Sequence, residues 1–252
     1  LDTLVLPLVP QVTMPTNPFD WPVQFGDTNW YPSTENVQVT TTDVATQKVT
    51  LTAQGLKSGV PFSDELEEDA IIAFIPELRS SLVRNASQVI DDVILNADQT
   101  TANGINSDGA TIAKTTAGKA HWLLGWDGII HQAIVDNSAN VSINKNAAID
   151  ADIFNRVIAQ MGKYGVAKRR GDVVFICDVN TASRAMSIAE VETTDSGGRA
   201  TISSGELMQL YGRPIIQSEQ MKVADTDGKV TDSGGNTVGR ILGFNTTQWK
   251  VG

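Results

Sequence analysis

The stretch SDELEEDAIIAFIPELRSSLVRNASQVIDDVILN, residues 63–96, decides the fold. Asp64, Glu65, Glu67, Glu68 and Asp69 crowd its start, where a helix dipole favours negative charge, and Ser63 or Asp64 can cap it. Pro76 interrupts. It either kinks one helix or opens a second at its first turn, where proline's missing N–H is an orphan anyway. Beyond it Leu78, Leu82, Ala86, Val89 and Val93 recur at spacings of four and three, and Val83, Ile90 and Ile94 widen the stripe. From Pro76 to Asn96 such a helix runs ~30 Å at ~1.5 Å per residue. That exceeds the ~11–12 residues of an average helix. The spacing predicts a long structural member whose apolar face is core, so that Leu82→Asp would bury an unpaired charge. The neighbouring carboxylates Glu67-Glu68 and Asp91-Asp92 point to different sides of a helix. They form no acid–base dyad and read as a solvated face.

Upstream the text changes character. Six of the nine prolines fall at Pro7, Pro10, Pro15, Pro18, Pro22 and Pro32, and every charge before Lys48 is acidic. Proline fixes φ and removes a donor, so this region is neither helix nor central sheet. Trp21, Phe25, Trp30 and Tyr31 make it too aromatic for a plain linker. It reads as an extended arm with nothing obvious to pack on in its own chain. From Asn36 to Leu56, Val37 and Val39 alternate with polar residues, as do Val49 and Leu51. A period of two in β-branched sequence predicts a strand pair or ribbon, with Val23–Gly26 as a candidate opening strand. Such a ribbon is either an ordinary hairpin on its own domain or an arm lying on a neighbouring subunit.

Downstream, Ala97–Lys119 reads as a loop and Asp127–Val135 as a short helix. Asp150 caps a better helix, with Ile153, Phe154, Val157, Ile158 and Met161 on one side and Gly162 and Gly165 at its end. Val173-Val174-Phe175-Ile176-Cys177 is a continuous apolar run suited to a strand buried on both faces. Asn180 is expected to cap the helix after it. Thr193–Arg199 is a loop, Ile215-Ile216 a strand, Asp225–Gly235 a turn-rich hairpin, and Asn236–Phe244 and Gln248–Val251 closing strands.

Composition bounds the function. The 252 residues carry 29 Asp+Glu against 19 Lys+Arg, a formal charge of −10, which excludes a coat that neutralises phosphate. With 41% hydrophobic and 19% charged residues and five Trp, the chain is globular rather than disordered. One cysteine, Cys177, excludes an intrachain disulfide and any Cys-based zinc module. No apolar run approaches the ~18 residues of a membrane span, and no basic n-region of a signal peptide precedes Lys48. The chain begins at Leu1 rather than Met, as a processed or trimmed product would.

No catalytic constellation stands out. His121 and His131, ten apart, fit no metal-ligand spacing, and Cys177 reads as buried filler. Gly118-Lys119 lacks the flanking residues of a P-loop, and Asp225-Thr226-Asp227-Gly228 lacks the closing Glu of a calcium loop. Lys168-Arg169-Arg170 reads as a polar turn. The Asn-x-Ser/Thr triplets at Asn85, Asn140 and Asn245 read as coincidental. The expectation is a protein without catalytic, cofactor-binding or metal residues, and so not an enzyme.

Several segments, taken in order, resemble one family. Gly59-Val60-Pro61-Phe62-Ser63-Asp64-Glu65-Leu66-Glu67-Glu68-Asp69 leads into the Pro76 helix, which ends Asp91-Asp92-Val93-Ile94-Leu95-Asn96-Ala97-Asp98 before Asn103-Gly104-Ile105. Asp172–Asp178 with Asn180–Arg184, then Leu207-Met208-Gln209-Leu210-Tyr211-Gly212-Arg213-Pro214-Ile215, then Ile241-Leu242-Gly243-Phe244, continue the likeness. Asn180-Thr181-Ala182 lacks the family's proline, and Gly243-Phe244-Asn245 departs from its Gly-Asp-Phe strand. Over about Val23 to Val251 the chain resembles the major capsid proteins of tailed bacteriophages, whose fold encapsulins share.

The resemblance implies an α+β chain in five parts. These are an N-terminal arm (1–22), an extended β-ribbon loop (23–62), a peripheral domain with a spine helix (63–112), an axial domain (113–235), and closing strands returning to the peripheral domain (236–252). It implies a structural protein that self-assembles as pentamers and hexamers into an icosahedral shell around packaged double-stranded DNA, in the virion, after assembly in the host cytoplasm. Implied partners are neighbouring capsid subunits, met through the arm and the ribbon, with portal, scaffold or protease, and decoration proteins beyond them. No membrane and no sequence-specific DNA contact is implied. A protease-processed terminus at Leu1 suits the family, whose peripheral domain normally continues past a point such as Trp249. Lys48 and Lys57 lie near the ribbon, but no acceptor for a Lys–Asn crosslink is assigned. Two other readings remain: an encapsulin-like nanocompartment shell, and an α+β enzyme with an unrecognised site at Cys177 or His131.

Overall fold

In a computed structural model of the chain, residues 3–24, 26–33, 35–38, 40–61, 74–99, 105, 121–137, 143–145, 147–169, 171–188, 191–193, 208–231 and 235–252 are described. The acidic run at 63–69, most of the loop after Asp98 and the Thr193–Arg199 loop beyond its first residue therefore lie outside the described residues. The chain divides into two compact units, one of residues 1–10 and 58–249, the other of residues 11–57 and 250–252. The expected arm, 1–22, is thus shared between them, and so is the expected closing segment, 236–252.

The smaller unit is a two-stranded antiparallel ribbon. Strand β1 (Phe19–Gln24) pairs with β2 (Thr46–Leu51) in the register Trp21↔Val49 and Pro22↔Lys48. Both strands are edges, so a proline is tolerated where a central strand would reject it. The predicted strand pair is therefore real in its second half and misplaced in its first. Val37 is exposed outside any strand, because β1 rather than the Val37 alternation supplies β2 with its partner. Asn17 closes the ladder by donating to the Ala53 carbonyl (2.9 Å) and accepting from its N–H (3.0 Å). The last residues join in. Val12 N–H donates to the Val251 carbonyl at 2.8 Å, and the Lys250 ammonium sits 4.1 Å from the Trp21 ring centroid, a cation–π contact.

The larger unit is built on helix α1 (Phe74–Asn96) and a five-stranded mixed sheet. Pro76 lies near the start of α1 as described; the residues before Phe74, which decide between a kink and a new helix, lie outside the described residues. The apolar stripe is not uniformly buried. Val89, Ile90, Val93 and Ile94 are half-buried and Leu95 fully buried, whereas Leu82 is 36% and Val83 49% exposed. The expectation that Leu82 belongs to the core is corrected accordingly: the first half of α1 meets too little of the described residues to cover it.

A helical turn at Ile129–His131, continuing as a π turn over Gln132–Asp136, takes the place of the predicted 127–135 helix. Helix α2 (Ala151–Gln160) starts as predicted, with the Asp150 carboxylate accepting from Ile153 N–H at 3.1 Å. Strand β3 (Val173–Cys177) is buried at every residue. Helix α3 (Val179–Ala185) follows, but its cap is Asp178, which accepts from Thr181 N–H at 3.0 Å, and not Asn180. Both residue types cap well, and the strand's end places the earlier one at the half-helical position. Strands β4 (Val191–Thr193), β5 (Met208–Leu210), β6 (Arg213–Gln217) and β7 (Ile241–Asn245) complete the sheet in the order β4-β5-β6-β3-β7. β3 runs parallel to β6 and antiparallel to β7. The two-residue turn between β5 and β6 uses Tyr211 (φ 51°) and Gly212 (φ 73°), the positive-φ pair that the twist of a tight hairpin requires.

The core lies between α2, α3 and the sheet. Phe154 of α2 meets Phe175 of β3 edge-to-face with centroids 5.0 Å apart, amid Ile153, Ala182, Ala185, Leu210 and Ile215.

Candidate functional site

Most of the polar chemistry in the larger unit collects around the last two turns of α1. Asp91 is 5% and Asp92 6% exposed. The expectation of a solvated carboxylate pair is overturned, although, as neighbours on a helix, the two do serve different partners. Asp91 accepts the backbone N–H groups of Leu4 (2.6 Å), Val5 (3.2 Å) and Leu6 (3.2 Å), holding the short 3₁₀ turn Leu6–Leu8 against α1. The beginning of the chain therefore packs on its own body, contrary to the reading of an arm without a surface. A carboxylate on an apolar stripe can be buried because it meets three donors at once.

Asp92 gathers different donors. Its carboxylate accepts from Asn96 Nδ2 at 2.8 Å and Trp122 Nε1 at 3.2 Å, with Lys222 Nζ at 3.3 Å. Asn96 also donates to the Gln220 carbonyl at 2.7 Å. Arg240 extends the network, donating from Nε to the Lys222 carbonyl at 2.7 Å and from Nη2 towards Asn96 Oδ1 at 3.4 Å. Burial pulls the Arg240 guanidinium down to about 10, with Asp178 opposing, so it remains charged at neutral pH. His121 caps the 3₁₀ turn Trp122–Leu124 through Nδ1, which accepts from Leu123 N–H at 3.2 Å. Burial first, then the Lys222 charge, lower its pKa below the usual histidine range.

A second polar group lies just past the helix. Asp98 accepts Ile105 N–H at 2.6 Å and lies 3.1 Å from His131 Nδ1. Nε2 of the same ring faces Asp136 at 3.5 Å and Asp127 at 3.9 Å. Sequence spacing pointed to none of these groups, although Asp127 and His131 are only four apart. Asp98 joins them because the 129–131 turn packs on the end of α1.

The other residues singled out in the sequence stay apart from this network. Cys177 is fully buried, and its thiol lies 3.9 Å from the Ile216 carbonyl. Burial, and secondarily Asp178, push it up to about 12. Iodoacetamide at pH 8 is expected to leave Cys177 unmodified in the folded chain and to alkylate it in urea, as read by mass spectrometry. Native labelling would show an opening of β3. Lys168 and Arg169 donate their backbone N–H groups to Asp172 at 3.0 and 2.7 Å, the predicted polar turn; Arg170 lies outside the described residues. Asp225–Gly228 closes on itself, Gly228 N–H donating to the Asp225 carbonyl at 2.9 Å, as a turn does. Asn245 spends its amide on the Tyr164 carbonyl at 2.8 Å, Asn85 is on α1, and Asn140 and Gly118-Lys119 lie outside the described residues. Lys48 pairs with Asp20 at 2.8 Å on the exposed ribbon. Lys57 is exposed in the same unit. No described helix is long and apolar enough to cross a membrane.

A long helix, a mixed sheet and a separate two-stranded ribbon define an α+β fold. The sequence profile of the Phage capsid family matches residues 2–233, and the chain belongs to that family. It is a structural capsid protein, a virion component and not an enzyme. Solved capsid structures share the fold. One from Microbacterium phage Oxtober96 is 15% identical, with 97% of this chain and 70% of that chain covered and a TM-score of 0.56. The mature capsid of bacteriophage PhiM1 is 10% identical, with 98% and 73% covered and a TM-score of 0.55. The capsid of a native GTA particle is 16% identical, with 88% and 72% covered and a TM-score of 0.52. No curated protein sequence matches the chain.

Proposed function

We propose that the chain is the major subunit of an icosahedral shell, forming pentamers and hexamers that enclose double-stranded DNA packaged in the host cytoplasm. The observation that carries this is the uncovered apolar stripe of α1, where Ile75, Leu82 and Val83 face solvent on a helix whose second half is core. Single exposed apolar residues are ordinary, but a row along one helix face marks a contact surface. The ribbon supports the same reading. Two strands alone are marginal in water, and Trp30, Tyr31, Val37 and Val49 are exposed on that unit. Neighbouring subunits would cover both surfaces, each small contact being repeated around the shell. The formal charge of −10 then suits a wall that repels DNA and leaves it mobile.

In this reading α1 is the spine of a peripheral domain and the β3 sheet is the centre of an axial domain. The test is the native mass by light scattering, with electron microscopy of the particles. Wild-type chain should give megadalton shells. Leu82→Asp should keep the melting temperature of the isolated fold, since the site is exposed, and lose the shells. A monomeric wild-type chain at high concentration would sink the proposal, and small shells filled with an enzyme cargo would replace it with a cellular nanocompartment.

A further inference from the structure

We propose that Asp98, Asp127 and His131 form a divalent-cation site of the zinc or manganese class, fastening the end of α1 to the 129–131 turn. Three donor atoms, one from each residue, lie within 4.8 Å of one another. His131 is 6% exposed, and its buried Nδ1 has no hydrogen-bond partner among the described residues. Asp98 Oδ1 approaches that nitrogen to 3.1 Å without hydrogen-bond geometry, and Asp98 is itself buried. A buried ring nitrogen that close to a carboxylate would ordinarily be satisfied by it. Two atoms bound to one metal at ~2.0–2.2 Å stand roughly 3.0–3.5 Å apart, which is the separation observed here.

Asp98 and His131 are held in place, and Asp127 is tethered beside them. Asp98 accepts Ile105 N–H at 2.6 Å through Oδ2. Asp127 accepts Gln99 N–H at 3.0 Å and faces Gln99 Nε2 at 3.4 Å. Such outer contacts orient carboxylates towards a metal. Asp127 Oδ1 stands 3.9 Å from Nε2, the other ring nitrogen; one ion takes only one of the two, so Asp127, whose side chain is partly exposed, joins Asp98 and Nδ1 by turning towards that side of the ring. Asp136, 3.5 Å from Nε2, adds a third carboxylate beside the ring. Three carboxylates around one imidazole concentrate negative charge, which a divalent cation offsets. An imidazole donor favours zinc over calcium, which prefers six to eight oxygens, and the carboxylates also suit manganese. The site lies within one chain and stands independently of shell assembly.

The test uses the full chain, stripped with chelator and then titrated separately with ZnCl2, MnCl2 and CaCl2. Calorimetry should show one Zn2+ or Mn2+ per chain, and the melting temperature should rise saturably with it. Asp127→Asn keeps the oxygen that accepts from Gln99 and should fold normally. It should weaken binding roughly tenfold or more, and His131→Gln should abolish it. Melting unaffected by any of the cations would overturn the site. Zinc binding that Asp127→Asn leaves unchanged would put the ion elsewhere on the acidic surface, and calcium binding as tight as zinc would refute the ligand class.

Discussion

Asp91→Ala is expected to lower the melting temperature by about 6–12 °C, for a loss of about 3 kcal/mol at roughly 2–4 °C per kcal/mol in a chain of this size. One carboxylate accepts three consecutive N–H groups at the start of the Leu6–Leu8 turn. Val5, the residue before that turn, has no side-chain oxygen to cap it, so Asp91 does this work from 86 positions away. Hydrogen bonds to a charged group contribute about 1.5–3 kcal/mol each, but three sharing one acceptor are not additive. Val5 and Val9 are buried in the same contact and would loosen with it. Asp91→Asn retains one acceptor oxygen and should lose less than the alanine variant. Calorimetric unfolding decides: an unchanged melting temperature for Asp91→Ala would mean that the turn detaches freely. It follows that deleting residues 1–35 should weaken the body as well as assembly, because Asp91 and the site of Val5 would be uncovered.

The same carboxylates show what a sequence can and cannot reveal. Asp150 as a cap and Val173–Cys177 as a fully buried strand were legible, because each signal is local. Asp91 and Asp92 were not, since a helix face with two acids looks solvated until its donors are known. Those donors, at Leu4–Leu6, Trp122 and Lys222, lie far away in the chain. Leu82 was misread in the opposite sense. Apolar periodicity shows that a face is to be covered, but not whether the cover comes from the same chain or from a copy of it. A family built for shells leaves that question open along a whole helix half, and here it separates the buried end of α1 from its exposed beginning. The candidate cation group was hidden for the first reason again. Asp127 and His131 lie at the two ends of one short segment, but Asp98 arrives only when the 129–131 turn packs on α1.

That packing rests on Gly128, and Gly128→Ala is expected to cost about 2–4 kcal/mol, an overpacking penalty at the high end because backbone is what it meets. The glycine has an ordinary negative φ of −80°, so its requirement is space and not conformational freedom. A Cβ there would stand 2.8 Å from the Leu95 carbonyl oxygen, 2.9 Å from Ala97 N and 3.0 Å from the Ile94 carbonyl oxygen. No side chain can swing aside to relieve these contacts; either the last turn of α1 or the 129–131 turn must move. Movement would strain the 2.7 Å bond from Gly128 N–H to the Ala97 carbonyl and carry Asp127 and His131 away from Asp98. The melting temperature should fall by about 4–16 °C at roughly 2–4 °C per kcal/mol, with amide exchange accelerated at Val93–Ala97. Gly55→Ala is the control, for its Cβ would meet nothing within 4 Å and stability should be unchanged. Equal melting temperatures for the two variants would refute the close backbone contact, and with it the junction that brings the three metal-ligand candidates together.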